Sequence, residues 1–213
     1  MKIYVVRHGE TNANLEGRLQ GRLNVPLNDF GIKLATITGQ AMKNIHFDIV
    51  YSSPLDRALS TAKIILANSG NDKTKISLDD RLQEVHMGDW EGQYVRGDKC
   101  HLPKEILKQF FANPLKMGNL PNGESAKEVC ARTQEFFQEL IKKQYESVLV
   151  STHGFAMRAL LNPLYEDRND FWQGHIPYNC AVNIVEVENH ICRFVAPETI
   201  YYDKSESHDR YGK

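Results

Sequence analysis

The chain has 213 residues, with 26 Lys+Arg against 27 Asp+Glu and a formal net charge of −1. Its 41% apolar and 25% charged residues exclude a disordered chain, and the length suits one domain with a sizeable core of its own. The balanced charge excludes a long-range field for nucleic acid or an anionic membrane surface, so any bound anion must be held by locally placed cations.

In chain order, Ile3-Tyr4-Val5-Val6 reads as a strand and is too short an apolar run for a signal peptide. Leu34 to Met42 carries a helical pattern weakened by Gly39. Asp48 to Ser52 is a second strand, and Ser53-Pro54 reads as an N-cap with proline at the first helical position. The following helix places Leu55, Ala58, Leu59, Ala62, Ile65 and Leu66 on one face and stops at Ser69-Gly70-Asn71-Asp72. Ile76-Ser77-Leu78 is a weak third strand.

From about 86 to 120 periodicity is lost among Gly88, Gly92, Gly97, Pro103, Pro114 and Gly118, which predicts an irregular inserted cap with one short helix over 104–111. Ser125-Ala126-Lys127-Glu128 is a capping box, and it opens the clearest helix, running to Ile141. Ser147 to Ser151 is a strand, and Phe155 to Leu161 is a helix stopped by Pro163. Val182–Val187 and Ile191–Val195 read as a hairpin. Residues 203–213 are expected to form a mobile tail.

This alternation predicts an α/β fold, a three-layer sandwich. A mostly parallel central sheet with one antiparallel edge strand would be flanked by helices, all within one domain of residues 1–213. The four cysteines, Cys100, Cys130, Cys180 and Cys192, form no C-x-x-C pair, and the eight histidines form no metal-ligand spacing. Reduced thiols, a cytoplasmic location and no metal are expected, and no stretch approaches the ~20 apolar residues of a membrane span. Oligomeric state is left open, with a homodimer paired through the hairpin edge as one arrangement.

One local echo points to chemistry. Tyr4-Val5-Val6-Arg7-His8-Gly9 and Leu149-Val150-Ser151-Thr152-His153-Gly154 are both apolar strands ending in His-Gly. Ligands of open parallel sheets bind outside the carboxyl ends of the strands, so both imidazoles would arrive at one edge. A single strand-end histidine usually caps a loop; two of them favour a site. Arg7 precedes His8, and Arg57 lies one turn into the helix after the second strand, so two guanidiniums converge on the same edge. Such forks suit a phosphoryl group, and the N-termini of the helices at Pro54 and Gly154 could add backbone donors. No Gly-rich dinucleotide or P-loop signature is present. Trp90, His86, His101, His175, Arg96, Lys99 and Lys104 read as packing or a solvated cap surface.

These residues resemble the histidine phosphatase superfamily. Arg7-His8-Gly9-Glu10-Thr11 with Asn14 and Gly17-Arg18-Leu19-Gln20-Gly21 is similar to its opening signature. Ser52-Ser53-Pro54-Leu55-Asp56-Arg57-Ala58, Leu82-Gln83-Glu84, Gly123-Glu124-Ser125 with Arg132, and Val150 to Gly154 resemble its later blocks, in family order. The resemblance implies a transient phosphohistidine on His8, with Glu84 as proton donor. Arg7, Arg57 and His153 would hold the phosphoryl group, and Asn14, Gln20, Gly21 and Gly154 would line the substrate site. It implies a phosphomonoesterase that needs no cofactor and acts on a small phosphorylated metabolite. A phosphoglycerate-mutase type of transfer is the alternative, and a non-catalytic phospho-ligand binder a third. Mutases of this family place an arginine directly after the acid glutamate; here Val85 stands there, which favours the phosphatase.

Overall fold

The computed structural model describes residues 1–208. Strand β1 (Lys2–Arg7) is followed by the short helix α1 (Asn12–Glu16), α2 (Asp29–Ala41), β2 (Ile49–Ser52), α3 (Asp56–Ser69) and β3 (Ile76–Leu78). After a segment that contains α4 (Lys104–Ala112) come α5 (Ala126–Leu140), β4 (Ser147–Thr152), α6 (Gly154–Leu161), β5 (Val182–Glu188) and β6 (Ile191–Thr199). The six strands make one sheet in the order β3-β2-β4-β1-β5-β6. β1 to β4 are mutually parallel, β5 runs against β1, and β6 returns along its outer edge.

Successive residues of a strand point to opposite faces. Because β1 is covered on both, it must be apolar throughout, and it is. Ile3 and Val5 face α5 and α6, packed among Val148, Val150, Phe136, Leu140, Met157 and Leu160. Tyr4 and Val6 face α2 and α3, against Met42, Phe47, Ala62, Ile65 and Leu149. Helix α5 starts with the expected capping box, Ser125 Oγ accepting from the Glu128 N–H and the Glu128 carboxylate from the Ser125 N–H. The predicted cap, 86–120, has α4 and two turns of 3-10 helix, and its own apolar cluster: Val85, Met87, Trp90, Phe110 and Leu120 pack with Phe155, Phe171 and Trp172.

Several expectations are corrected. α2 begins at Asp29, five residues before the apolar pattern, because Asn28 caps it by accepting from the Gly31 N–H at 2.8 Å. Helix α3 begins at Asp56 with Leu55 at the cap position, so Ser53-Pro54 is not its cap. Residues 203–208 lie against the protein. Asp203 caps a turn over Lys204–Glu206, Glu206 pairs with Lys33, and His208 Nδ1 lies 3.1 Å from Glu10 Oε2. The remainder of the predicted tail, 209–213, lies outside the described residues. No helix among the described residues is long and apolar enough to cross a membrane.

Phe136 is buried between Tyr51, edge-on at 5.3 Å, and the sheet core. Its truncation in Phe136→Ala should cost about 3–5 kcal/mol, the range for a large aromatic removed from a packed core. Urea unfolding followed by circular dichroism measures it, with a lower midpoint at unchanged slope as the expected signature.

Candidate active site

The site lies at the carboxyl edge of the sheet, where β1, β4 and β2 end side by side. β1 and β4 pair Arg7 with Thr152, and the next backbone step has His8 N–H donating to Thr152 O at 2.9 Å. β2 joins through Ser53 N–H to Ser151 O at 3.0 Å. His8 and His153 are thereby neighbours, their ring centroids 5.2 Å apart.

His8 is held from its Nδ1 side. That nitrogen lies 2.6 Å from Gly9 O, which only a protonated Nδ1 can satisfy, so the neutral ring carries its lone pair on Nε2. The Gly9 N–H is fixed on Thr61 Oγ1 at 2.9 Å, and the His8 carbonyl accepts from Asn179 Nδ2 at 3.0 Å. Gly9 is required for space, since a Cβ there would lie 2.6 Å from Gly31 O. Burial first, then the charges of Arg57 and Arg7, push the His8 pKa well below 6.5. His153 is shifted the same way by burial and by Arg57.

Arg57 is fully buried, and its guanidinium donates to Leu23 O and Gly21 O, both at 2.7 Å. Carbonyls satisfy hydrogens without neutralising the charge, and Nε has no partner among the described residues. Burial lowers its pKa to about 10, so it remains a cation at neutral pH. Gly21 holds a left-handed φ of 51°, and a Cβ would come within 2.4 Å of Glu91 Oε1. The Arg7 guanidinium donates to Pro177 O.

Glu84 sits at the N-terminus of α6. Its Oε1 accepts from the N–H groups of Val85 and Ala156, each at 3.0 Å, and its Oε2 from that of Phe155 at 3.2 Å. Glu84's peptide is braced by Arg132, which donates to the carbonyls of Arg81, Gln83 and Glu84 and pairs with Glu124 at 2.9 Å. The helix N-termini are therefore not the open donors that the pattern suggested. Glu84 occupies that of α6, and at α3 Asn24 Oδ1 accepts from Asp56 N–H at 2.8 Å while Ser53 Oγ accepts from Leu55 N–H.

Arg7, His8, Asn14, Gln20, Gly21, Arg57, Glu84 and Gly154 all line one cleft with about 500 Å³ of open space. Asn14 Oδ1 accepts from the Thr11 N–H at 3.1 Å and Gln20 Oε1 from the Thr11 hydroxyl at 2.9 Å, which commits each oxygen and not its NH2 group. His153 is the one predicted residue outside the lining; it is wholly enclosed, with Nε2 2.8 Å from Ser53 Oγ. Sequence reasoning missed the other wall of the cleft, which includes Met87, Phe110, Phe111, Phe155, Trp172 and Ile176, because these residues come from separate segments that no common period links. Among the described residues no three His, Cys, Asp or Glu side chains form a metal-ligating group.

A histidine with a free Nε2, two guanidiniums and a carboxylate at one sheet edge define a phosphoryl-transfer site. The model of the histidine phosphatase superfamily (branch 1) matches residues 3–199, and the chain belongs to that family. It is 32% identical to phosphoserine phosphatase 1 of Hydrogenobacter thermophilus over 88% of this chain and 87% of that protein. It is 37% identical to phosphoglycerate mutase-like protein 4 of Arabidopsis thaliana, over 75% and 69%. Bacillus stearothermophilus YhfR, at 29% identity, superposes with a TM-score of 0.83 over 94% of this chain and 98% of that one. The chain is thus an enzyme of the phosphatase and mutase family whose chemistry runs through a phosphohistidine.

The two depressed imidazoles tie stability to pH. They stay neutral in the fold, whereas unfolded imidazole takes up a proton near pH 6.5, so the unfolded chain binds more protons below that value. Stability should be fully present above pH 6.5 and fall as pH drops below it. Urea midpoints from pH 8 to pH 5 measure this, and His153→Gln should make the fall shallower.

Proposed function

We propose that the protein is a metal-independent phosphomonoesterase in which His8 is the nucleophile and Glu84 the proton donor. The observation that carries the reading is the orientation of His8: Nδ1–H is spent on Gly9 O, and Nε2 is left as a lone pair in a ring held neutral. In the first step Nε2 attacks phosphorus and the ester P–O bond breaks. The departing alkoxide takes the proton of the Glu84 carboxyl. In the second step the Glu84 carboxylate takes a proton from water as that water attacks phosphorus, the P–N bond breaks, and inorganic phosphate leaves.

Charge in this loose transition state lies on the three equatorial oxygens, which is where fixed guanidinium donors act. Arg57 and Arg7 supply them, Asn14 and Gln20 offer amide NH2 groups, and Gly21 and Gly154 are the backbone beside them. His153, beside His8, supports the pocket through Ser53. Mutase transfer would need a further cation for a substrate carboxylate, and Val85 is instead buried in the cap's apolar cluster. The ligand is a small phosphorylated metabolite, and the four free cysteines support a reducing, cytoplasmic setting.

Hydrolysis of 4-nitrophenyl phosphate and of a primary alkyl phosphate, with chelator present, tests the reading. His8→Ala should lose at least ~10³-fold in kcat on both esters. Glu84→Gln should cost about 10²–10⁴-fold on the alkyl ester and much less on the nitrophenyl ester, whose leaving group needs no proton. Acid-labile phosphate on His8 after a rapid quench is the expected intermediate. Isomerisation of phosphoglycerates faster than phosphate release would overturn the hydrolase in favour of the mutase.

A further inference from the structure

The cleft is polar at one end only. Opposite the phosphoryl-binding groups stand Met87, Phe110, Phe111, Phe155, Trp172 and Ile176, which belong to one continuous apolar cluster of the cap and α6. The rings touch one another: Phe155 lies 5.7 Å from Phe110 and 5.4 Å from Trp172, and Phe111 lies 5.2 Å from Phe110. The indole N–H of Trp172, the single N–H or O–H among these six side chains, is spent on Phe110 O at 2.9 Å. This wall therefore presents hydrocarbon and ring faces, with no group to receive a carboxylate, an ammonium or a hydroxyl.

A phosphomonoester seated with its phosphorus at His8 must extend its remaining body along the cleft. A charged body loses its hydration against the rings and gains no partner there. The further cation in the lining, Arg18, is already paired with Glu16 at 2.6 Å, and the residue after Glu84 is the buried Val85. A hydrocarbon body, by contrast, leaves water for a surface that matches it.

We propose that the site takes phosphomonoesters of alcohols with an aromatic or branched hydrocarbon body and no carboxylate beside the ester. The proposal rests on the phosphomonoesterase reading and names its substrate class. Phe111 and Ile176 are the specificity-determining residues that test it best, because both are only half-buried and their truncation leaves the cap's interior filled.

The experiment compares 2-phenylethyl phosphate with O-phosphoserine, both esters of primary alcohols, so that the difference reports the body and not the leaving group alone. For the wild type, kcat/KM should be about 100-fold higher for the phenylethyl ester, with most of the gap in KM. Phe111→Ala and Ile176→Ala should each narrow the gap by about 10-fold, with the loss falling mainly on the phenylethyl ester. Calorimetric binding of both esters to His8→Ala, which cannot form the phosphohistidine, gives the preference without turnover; the phenylethyl ester should bind at least about 10-fold tighter.

Equal or tighter binding of phosphoserine, or a loss in Phe111→Ala that falls alike on both esters, would overturn the proposal. Tight phenylethyl phosphate binding with no phosphate released by the wild type would uphold the ligand class and overturn hydrolysis. Binding of neither ester would overturn both.

Discussion

The parallel register between β1 and β4 is the constraint on which the site depends. It sets Arg7 opposite Thr152, and one step further places His8 and His153 side by side. A slip of one residue would turn every side chain of β1 to the other face. Ile3 and Val5 would then meet α2 and α3 in place of α5 and α6, so the two apolar clusters that sandwich the sheet also lock the histidines in place. β2 completes the row, because Ser53 is bonded to β4 through its backbone and reaches His153 through its hydroxyl. The packing of the core and the geometry of the site are one problem with one solution.

Arginines elsewhere in the molecule show what is particular about Arg57. Arg81 is met by Asp79 and Glu139, Arg132 by Glu124, and Arg158, nearly as buried as Arg57, by Glu198. Each of these braces a segment, and a carboxylate cancels its charge. Arg57 instead donates to two carbonyls, which take one hydrogen of each terminal nitrogen without a counter-charge in contact, so its field stays directed into the cleft. That field, added to burial, is what keeps His8 unprotonated, and the same field would hold a phosphoryl dianion. The arrangement gives up the stability of a neutralised pair, a cost that functional sites commonly carry.

The strand ends were legible because they follow from short-range rules. An apolar run ending in His-Gly at two places in an α/β chain implies one edge, and the structure has that edge. Helix α1 was not legible, since its five residues carry no apolar face and it is held by the reciprocal bonds of Thr11 and Asn14. The enclosure of His153 was equally hidden, because it depends on Ser53 arriving from β2 across 100 positions of sequence. The aromatic wall was the largest omission. Phe110 and Phe111 are adjacent on α4, Phe155 opens α6, and Trp172 lies in a loop, so no period links them. The Trp172 hydrogen bond to the Phe110 carbonyl, which ties loop to helix, is a fact of tertiary structure alone.

The two ends of the cleft are built from different material. Strand ends and the first turns of α3 and α6 supply Arg7, His8, Arg57 and Gly154, and β1, which carries Arg7, is paired on both sides, with β4 and β5. Helix α4 and the loop around Trp172 supply most of the opposite wall, and they are held by ring contacts and a few backbone bonds. Yet the ends are joined at Glu198, whose carboxylate accepts from Tyr178 N–H and meets Arg158 and His175. It thereby fixes the loop whose Pro177 carbonyl receives the Arg7 guanidinium and whose Ile176 lines the cleft. Changes in the wall can alter which alcohol is accommodated without moving β1 or β4, while changes at Glu198 reach both ends together. A scaffold divided in this way keeps one chemistry and leaves its choice of alcohol to segments that the sheet does not constrain.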